Sequence, residues 1–247
     1  MNEMSRKINE ILNHSINKFD RPVDELIKEL KLEREKEYSD FSHWNELETS
    51  NPEKYNYLNE IANQTGHSIE AQMQEDIKTA MFIEDELTAL LEMKIIYAFK
   101  HLEINIKKLI LYYYKELPLS KPKWHDIERF FKRQNIPLTK IQEYSEVNEL
   151  RLVNNSLKHS HEGIDQNILK IKEFKNGSLQ DFESLDKFYE RIEHSSALFF
   201  TSLMEKIEKE ISNFNNKKLE KIAEKATNRM NKEVAEKLIT EIRKKYK

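Results

Sequence analysis

The sequence predicts an all-α protein, a helical bundle of about seven to nine helices. Of its 247 residues, 34% are charged, and only three are glycine and five are proline. Tight turns are therefore too scarce for a β-sandwich or a doubly wound sheet. Apolar residues also recur at intervals of three and four over long stretches, which is the period of an amphipathic helix. Helices joined by few loops are the architecture that remains.

The chain contains no cysteine. Disulfide scaffolds, thiolate metal sites and cysteine nucleophiles are therefore excluded, and nothing favours an oxidising compartment. No apolar run approaches the roughly 20 residues that a membrane span needs, and the polar start MNEMSRKINE is unlike a signal peptide. We therefore expect a cytoplasmic protein that does not contact a membrane.

The beginning of the chain predicts an N-terminal helical region, residues 1–66. Two apolar helical patterns occupy its first half, and Pro22 marks the junction between them, because proline is tolerated in the first turn of a helix. A further short helix is expected to start at Pro52 and to stop at Gly66.

Residues 67–212 are expected to form the helical core. No glycine or proline occurs in residues 68–117, so one helix of up to about 75 Å fits this stretch, and a break at the acidic residues 84–86 fits it equally well. The second half of the stretch is apolar nearly all round. Helices of that kind are enclosed by neighbouring helices or by a partner subunit.

Shorter elements follow the long helix. We expect one helix over residues 124–133 and another over residues 138–160, which a capping box of Thr139 and Gln142 would start. Residues 85–117 and 138–160 should pack as antiparallel helices, since both are long and apolar. Residues 168–174, followed by Asn176-Gly177, predict a short extended or hairpin segment. Apolar residues between positions 182 and 211 predict another long helix.

The end of the chain, residues 213–247, predicts a basic amphipathic C-terminal helix. It holds eleven Lys or Arg and five Glu, a net charge of +6, so the rest of the chain must carry −9 to give the total of −3. Such a helix can bind an acidic partner or nucleic acid, but we expect it to pack on the acidic body of its own chain. Its apolar face has no aromatic residues, which argues against insertion into a membrane.

Several common catalytic motifs are missing from the sequence. None of the eight histidines stands in His-Glu-x-x-His, no serine stands in Gly-x-Ser-x-Gly, and three isolated glycines cannot form a phosphate-binding loop. The paired Glu-x-x-His motifs of a di-metal carboxylate site are also missing. We therefore expect neither a metal nor a cofactor.

The most informative segment is ELRLVNNSLKHSH, residues 149–161. Residues 150, 153 and 157 keep the apolar spacing of a core helix, while polar residues occupy the adjoining faces: Arg151, Asn154, Asn155 and His159. Two successive asparagines within a helix compete for backbone hydrogen bonds, so they need partners. Two interpretations stay open at this point. One is a functional site, and the other is an ordinary exposed helix end, where a histidine favours the negative end of the helix dipole.

The segment from Val147 to His159 resembles the signature helix of the HEPN family, the higher eukaryote and prokaryote nucleotide-binding domains. The mark of that helix is an arginine, usually followed by a polar residue, and then a histidine after four to six residues. Residues 98–107 resemble the first long helix of the family and residues 186–192 its last, so the resemblance covers about residues 85–212. In this sequence seven residues separate Arg151 from His159, one more than in the family pattern.

The resemblance implies a metal-independent endoribonuclease of a prokaryotic defence or toxin system. Its catalytic residues would be Arg151, Asn155 and His159, with the histidine moving a proton and the arginine stabilising charge on the phosphate. RNA would be the substrate, and two protomers of a homodimer would share the site. We expect this dimer to form through the helix that carries Asn154 and His159. The alternative is a non-catalytic scaffold, or a subunit of a defence complex that binds a partner protein and has lost the spacing of arginine and histidine.

Overall fold

The computed structural model describes residues 20–115, 117, 119–159, 166–175, 179, 181–213 and 216–245. These residues form α-helices and short 3₁₀ turns without any strand, which confirms the expected all-α bundle of about seven to nine helices. None of the helices in these ranges is long and apolar enough to cross a membrane. The α-helices, in chain order, are α1 (Asp20–Ser50), α2 (Pro52–Gln64), α3 (Ile69–Tyr114), α4 (Trp124–Arg133), α5 (Tyr144–Lys158), α6 (Phe182–Ile192), α7 (Ser195–Ser212), α8 (Asn216–Thr227) and α9 (Lys232–Lys245).

The central helix, α3, runs without a break over 46 residues, about 69 Å. Ser68 caps its first turn by accepting a hydrogen bond from the backbone N–H of Ala71 at 3.3 Å. Helices α1, α5, α6 and α7 pack around it. The break that residues 84–86 allowed does not occur. At that point Arg34 of α1 pairs with Glu84 at 2.6 Å, and the hydroxyl of Tyr38 donates to the same carboxylate oxygen at 3.1 Å.

Helix α1 lies along α3 and shares its core. Val23 and Ile27 are buried in the same apolar cluster as the middle of α3 and the inner faces of α5, α6 and α7. Lys94 of α3 is also buried there, pairs with Asp24 of α1, and lies 4.3 Å from the ring centre of Tyr189. The domain boundaries at residues 66 and 212 stay predictions, although the first of them separates helices that contribute to one core.

The helix expected over residues 138–160 begins later, at Tyr144. Leu138–Lys140 form a 3₁₀ turn instead, and Glu143 has a φ of 61°, which the interior of a right-handed helix does not allow. The predicted capping box of Thr139 and Gln142 is therefore wrong.

Two further expectations for the core are wrong. Residues 168–174 are not extended but form two 3₁₀ turns, Ile168–Lys170 and Lys172–Phe174, and Asn176-Gly177 lies outside the described residues. The long helix expected between positions 182 and 211 is divided into α6 and α7 at Glu193 and His194. Apolar spacing did not reveal this division, because two turn residues barely disturb the helical period.

The basic tail forms two helices, α8 and α9, and it does not pack on the body of the chain as we expected. No described residue of the tail is buried, and most are exposed. The apolar side chains that would have been covered are 41–52% exposed: Leu219, Ile222, Val234, Leu238, Ile239 and Ile242.

Candidate functional site

Helix α5 and the residue that caps it carry the three predicted site residues: Arg151 and Asn155 lie within the helix, and His159 is its C-cap. Its apolar side is buried against the core through Val147, Leu150, Val153 and Leu157. It contacts α3, so the predicted packing of these two segments against each other is confirmed. The helix ends at Lys158, and the backbone N–H of the cap residue His159 donates to the carbonyl oxygens of Asn155 at 3.1 Å and Ser156 at 3.2 Å.

Arg151, Asn155 and His159 follow one another at intervals of four residues. Each interval turns the helix by about 40° beyond a full turn, so all three Cα atoms lie within about 80° of one another and span about 12 Å along the axis. Arg151 is half-buried, and Asn155 and His159 are exposed. The structure therefore brings the three residues to one accessible side of α5, which we call the α5 face. The last two residues of the signature segment, 160 and 161, lie outside the described residues.

The guanidinium group of Arg151 is held by a neighbour on the same helix. Its Nε and Nη2 atoms donate to Oδ1 of Asn148 at 3.2 and 2.9 Å. These two contacts use two of the five N–H bonds of the guanidinium, and the other three can bind a further acceptor. Phosphate oxygens are the acceptors that suit this planar group best, together with carboxylates.

Asn154 links the core to the α5 face. It is 1% exposed, and its Nδ2 donates to Oδ1 of Asn155 at 3.0 Å. Asn155 thus supplies a partner for Nδ2 of Asn154, whereas the buried Oδ1 of Asn154 has no hydrogen-bond partner in the part of the chain that the structure describes. The contact fixes the amide of Asn155 with its Nδ2 free to donate. Asn154 is therefore a positioning residue behind the predicted site.

Sequence reasoning missed Arg191 of α6, which ties the site helix to its surroundings. Its Nε and Nη2 donate to the two carboxylate oxygens of Glu173 at 2.8 and 2.9 Å, and its Nη2 also contacts Glu149 of α5 at 2.7 Å. Burial alone would raise the pKa of Glu173, but the hydrogen bonds from Arg191 and the backbone, with the nearby positive charges, lower it. Hydrogen bonding to Glu173 raises the pKa of Arg191. Both groups therefore stay charged at neutral pH.

The start of α5 is anchored on α4 through Glu128. Its Oε1 accepts hydrogen bonds from the hydroxyl of Tyr144 at 2.7 Å and from Nε1 of Trp124 at 2.9 Å. Burial, followed by the hydrogen bond to Glu128 and its charge, raises the pKa of Tyr144 to about 12. The phenol is therefore neutral at physiological pH, where it acts as a hydrogen-bond donor that holds the helix.

The α5 face offers an imidazole, an amide and a guanidinium group, which together can move a proton and bind an anion. Within the described ranges, no three acidic or histidine side chains come close enough to hold a metal ion. No family model, no curated protein and no solved structure matches the chain. What the α5 face can do is therefore inferred from its own residues.

Proposed function

We propose that the chain is a HEPN-like, metal-independent endoribonuclease of a prokaryotic defence or toxin system. Its catalytic residues are Arg151, Asn155 and His159. The observation that supports this most is their placement on one accessible side of α5, although seven residues separate the arginine from the histidine. The extra residue of the spacing leaves His159 on the same side of the helix as Arg151.

The proposed reaction is transesterification of RNA at the α5 face. His159 accepts the proton of a ribose 2′-hydroxyl, and the 2′-oxygen attacks the adjacent phosphorus atom. The bond to the 5′-oxygen then breaks, that oxygen takes a proton from water, and His159 returns its own proton to the solvent, so the products carry a 2′,3′-cyclic phosphate and a 5′-hydroxyl. The free N–H bonds of Arg151 and Nδ2 of Asn155 donate to the phosphate oxygens, whose negative charge they stabilise.

A site shared by two protomers is part of this proposal. The side chains of Asn155 and His159 are exposed at the surface, whereas Asn154 is covered by its own chain. An interface through this helix would therefore use Asn155 and His159 and would exclude Asn154.

The experiment is an RNA cleavage assay with purified full-length protein on a set of structured and single-stranded RNAs. His159→Ala and Arg151→Ala should each lower the rate by about 100-fold or more, which is the usual contribution of a general base or of a donor to the phosphate charge. EDTA should leave the rate unchanged. His194→Ala is the matched control, because the side chain of His194 is 81% exposed and lies outside α5. Thermal melts must show that each variant is folded.

The alternative is a non-catalytic scaffold or partner-binding subunit of a defence complex. Two observations favour it: the spacing of seven residues, and the two hydrogen bonds by which Asn148 already occupies the guanidinium of Arg151. Wild-type protein that leaves every RNA uncut, with its genomic neighbours supplied as partners, would support the scaffold. In that case His159→Ala should retain partner binding.

A further inference from the structure

An open cavity of about 700 Å³ lies between the end of α1, the start of α2 and the first turns of α3. Volumes of this size are typical of sites that bind small molecules. None of the three proposed catalytic residues lines it. The cavity is therefore a second candidate site, separate from the α5 face.

The antiparallel packing of α1 on α3 gives the cavity an apolar middle and an acidic end. Two ion pairs across these helices fix their register: Arg34 with Glu84 and Asp24 with Lys94. The same register, continued along both helices, places Phe41 opposite Ile77 and then Glu48 opposite Glu70. All four of these side chains line the cavity.

The two glutamates at the acidic end have no counter-charge. Glu48 and Glu70 are exposed, and neither forms an ion pair within the part of the chain that the structure describes. Glu48 also lies in the last turn of α1, where the helix dipole disfavours a negative charge and where no basic residue stands. A cation between the two carboxylates would relieve both unfavourable interactions.

Tyr55 of α2 lines the same cavity and provides an independent sign of a missing ligand. It is 4% exposed, and its buried hydroxyl has no hydrogen-bond partner among the described residues. Burial, followed by the charges of Glu48 and Glu70, raises the pKa of this phenol, so it is neutral at physiological pH and its hydroxyl end lies toward the two carboxylates. A buried hydroxyl without a hydrogen bond is costly, and a donor placed at the acidic end would reduce that cost.

A primary ammonium group matches the acidic end of the cavity. Its three N–H bonds correspond to two carboxylates and one phenol oxygen. Two carboxylates do not supply the octahedral set of oxygen ligands that Mg²⁺ demands, so an organic cation fits better. Because the hydroxyl of Tyr55 is shielded from water, the ligand must displace a lining side chain to reach it, and the unbranched Met73 moves readily. Residues 37–86 carry a net charge of −10, twelve acidic residues and two lysines, which attracts cations to this end of the molecule.

The rest of the cavity limits the ligand to one positive charge. Phe41, Met73 and Ile77 offer apolar contacts beside the acidic end. Lys78 lines the far end, eight residues from Glu70 and therefore about 12 Å away along α3. Its charge disfavours a second cation, so a diamine or a strongly basic peptide fits poorly.

We propose that this cavity binds a small organic amine with a single positive charge. Its ammonium group lies between Glu48 and Glu70 and donates to Tyr55, and its apolar body packs against Phe41 and Ile77. The site shares no residue with the α5 face, so it is independent of the RNA cleavage proposed there. Loss or absence of cleavage does not bear on it.

The first test is a titration of the full-length protein with hexylammonium chloride, followed by NMR of ¹³C-labelled methionine methyl groups. The signal of Met73 should shift and saturate with a dissociation constant on the order of 1 mM, which suits a ligand of about seven non-hydrogen atoms. Hexan-1-ol has the same apolar chain without the charge, and it should bind roughly tenfold more weakly or worse.

The second test changes the acidic end. Glu48→Gln with Glu70→Gln should weaken the binding of hexylammonium by about tenfold or more. Tyr55→Phe should weaken it by about threefold or more and should not lower the melting temperature of the ligand-free protein, because the hydroxyl it removes has no partner there. Glu53→Gln with Glu60→Gln is the matched control, since both are exposed acidic residues of α2 outside the cavity, and it should leave the affinity unchanged.

The third test identifies the source of the ammonium group and the role of Lys78. Nα-acetyl-lysine methylamide, which represents a lysine side chain of a protein, should bind more weakly than hexylammonium, because its amides would meet apolar walls. Wild-type protein should bind 1,6-diaminohexane more weakly than hexylammonium, and Lys78→Glu should reverse this preference.

Four results would overturn the proposal. The first is a Met73 signal that does not shift up to about 20 mM hexylammonium, far above the expected dissociation constant. The second is equally tight binding of hexan-1-ol, and the third is unchanged affinity after both glutamates are replaced. The fourth is tighter binding of the lysine derivative, which would assign the cavity to a protein partner. Circular dichroism of each variant distinguishes loss of binding from loss of the fold.

Discussion

Replacing Arg191 by methionine should destabilise the protein by about 2–3 kcal/mol. The substitution removes both hydrogen bonds from Arg191 to the carboxylate of Glu173, whose side chain is 6% exposed, and leaves only the exposed Lys172, at 3.5 Å, as its counter-charge. Removing one partner of a fully buried ion pair costs about 3–5 kcal/mol. The side chain of Arg191 is 25% exposed, so water can solvate part of the site and the cost is reduced.

Urea unfolding followed by circular dichroism measures this loss. Lys187→Met is the matched control, because Lys187 pairs with Glu183 at 3.3 Å and both side chains are more than half exposed. Such a surface pair contributes about 0–0.5 kcal/mol. The double variant Glu173→Gln with Arg191→Met should recover much of the stability, since no unpaired charge is then buried.

The pH dependence of the free energy of unfolding provides a second test of this prediction. Because the pKa of Glu173 is lower in the folded protein than its ordinary value of 4.5, its ion pair stabilises the fold fully above that value. The contribution is lost as the pH falls through the folded pKa. The difference between wild type and Arg191→Met should therefore shrink on acidification below about pH 4.5. A difference below 1 kcal/mol at pH 7, or one that grows in acid, would refute this account.

Three further changes test the packing. Tyr144→Phe should lower the free energy of unfolding by about 1 kcal/mol, since it removes one buried hydrogen bond, and ultraviolet titration should assign the lost phenol a pKa of about 12. Leu102→Ala, at a fully buried position of α3, should cost about 2–5 kcal/mol in urea unfolding, whereas Leu32→Ala at a 58% exposed position should change it by less than about 0.5 kcal/mol. Lys94→Met should stay within about 1 kcal/mol of wild type in the same assay, because Lys94 is 8% exposed while its partner Asp24 is 52% exposed and remains hydrated when unpaired. A large loss in Lys94→Met or none in Leu102→Ala would contradict the packing described above.

Helix boundaries that depend on local chemistry were predictable from the sequence. Helix α2 begins at Pro52, and Asn51 caps it by accepting the backbone N–H of Lys54 at 3.2 Å. Helix α4 has the predicted bounds. Local patterns could not show that α3 continues through residues 84–86, because the charge of Glu84 is balanced by α1, about fifty positions earlier in the chain. The positive φ of Glu143 could not be predicted from the sequence either, since glycine is the usual residue in that conformation.

The candidate site, too, could be predicted from the sequence only in part. The sequence predicts that Arg151, Asn155 and His159 lie on one side of a helix, because their four-residue spacing and helical geometry are sufficient to show it. The role of Arg191 could not be predicted, since its contacts with Glu173 and Glu149 join positions that are 18 and 42 residues apart in the sequence. The charge of such a residue looks like that of any exposed helix residue until the fold shows its partners.

The long helix α3 also determines which parts of the chain should unfold together. Helices α1, α5, α6 and α7 all rest on it, so separating any of them exposes the same core, and backbone amides between Leu87 and Ile110 should exchange with deuterium only when the whole domain unfolds. Helices α8 and α9 have 12 and 14 residues, and none of the side chains that the structure describes in them is buried. Isolated helices of that length are marginal in water, so their amides should exchange through local fraying at nearly no cost in free energy. The molecule thus combines one cooperative folding unit with a tail whose helices open locally.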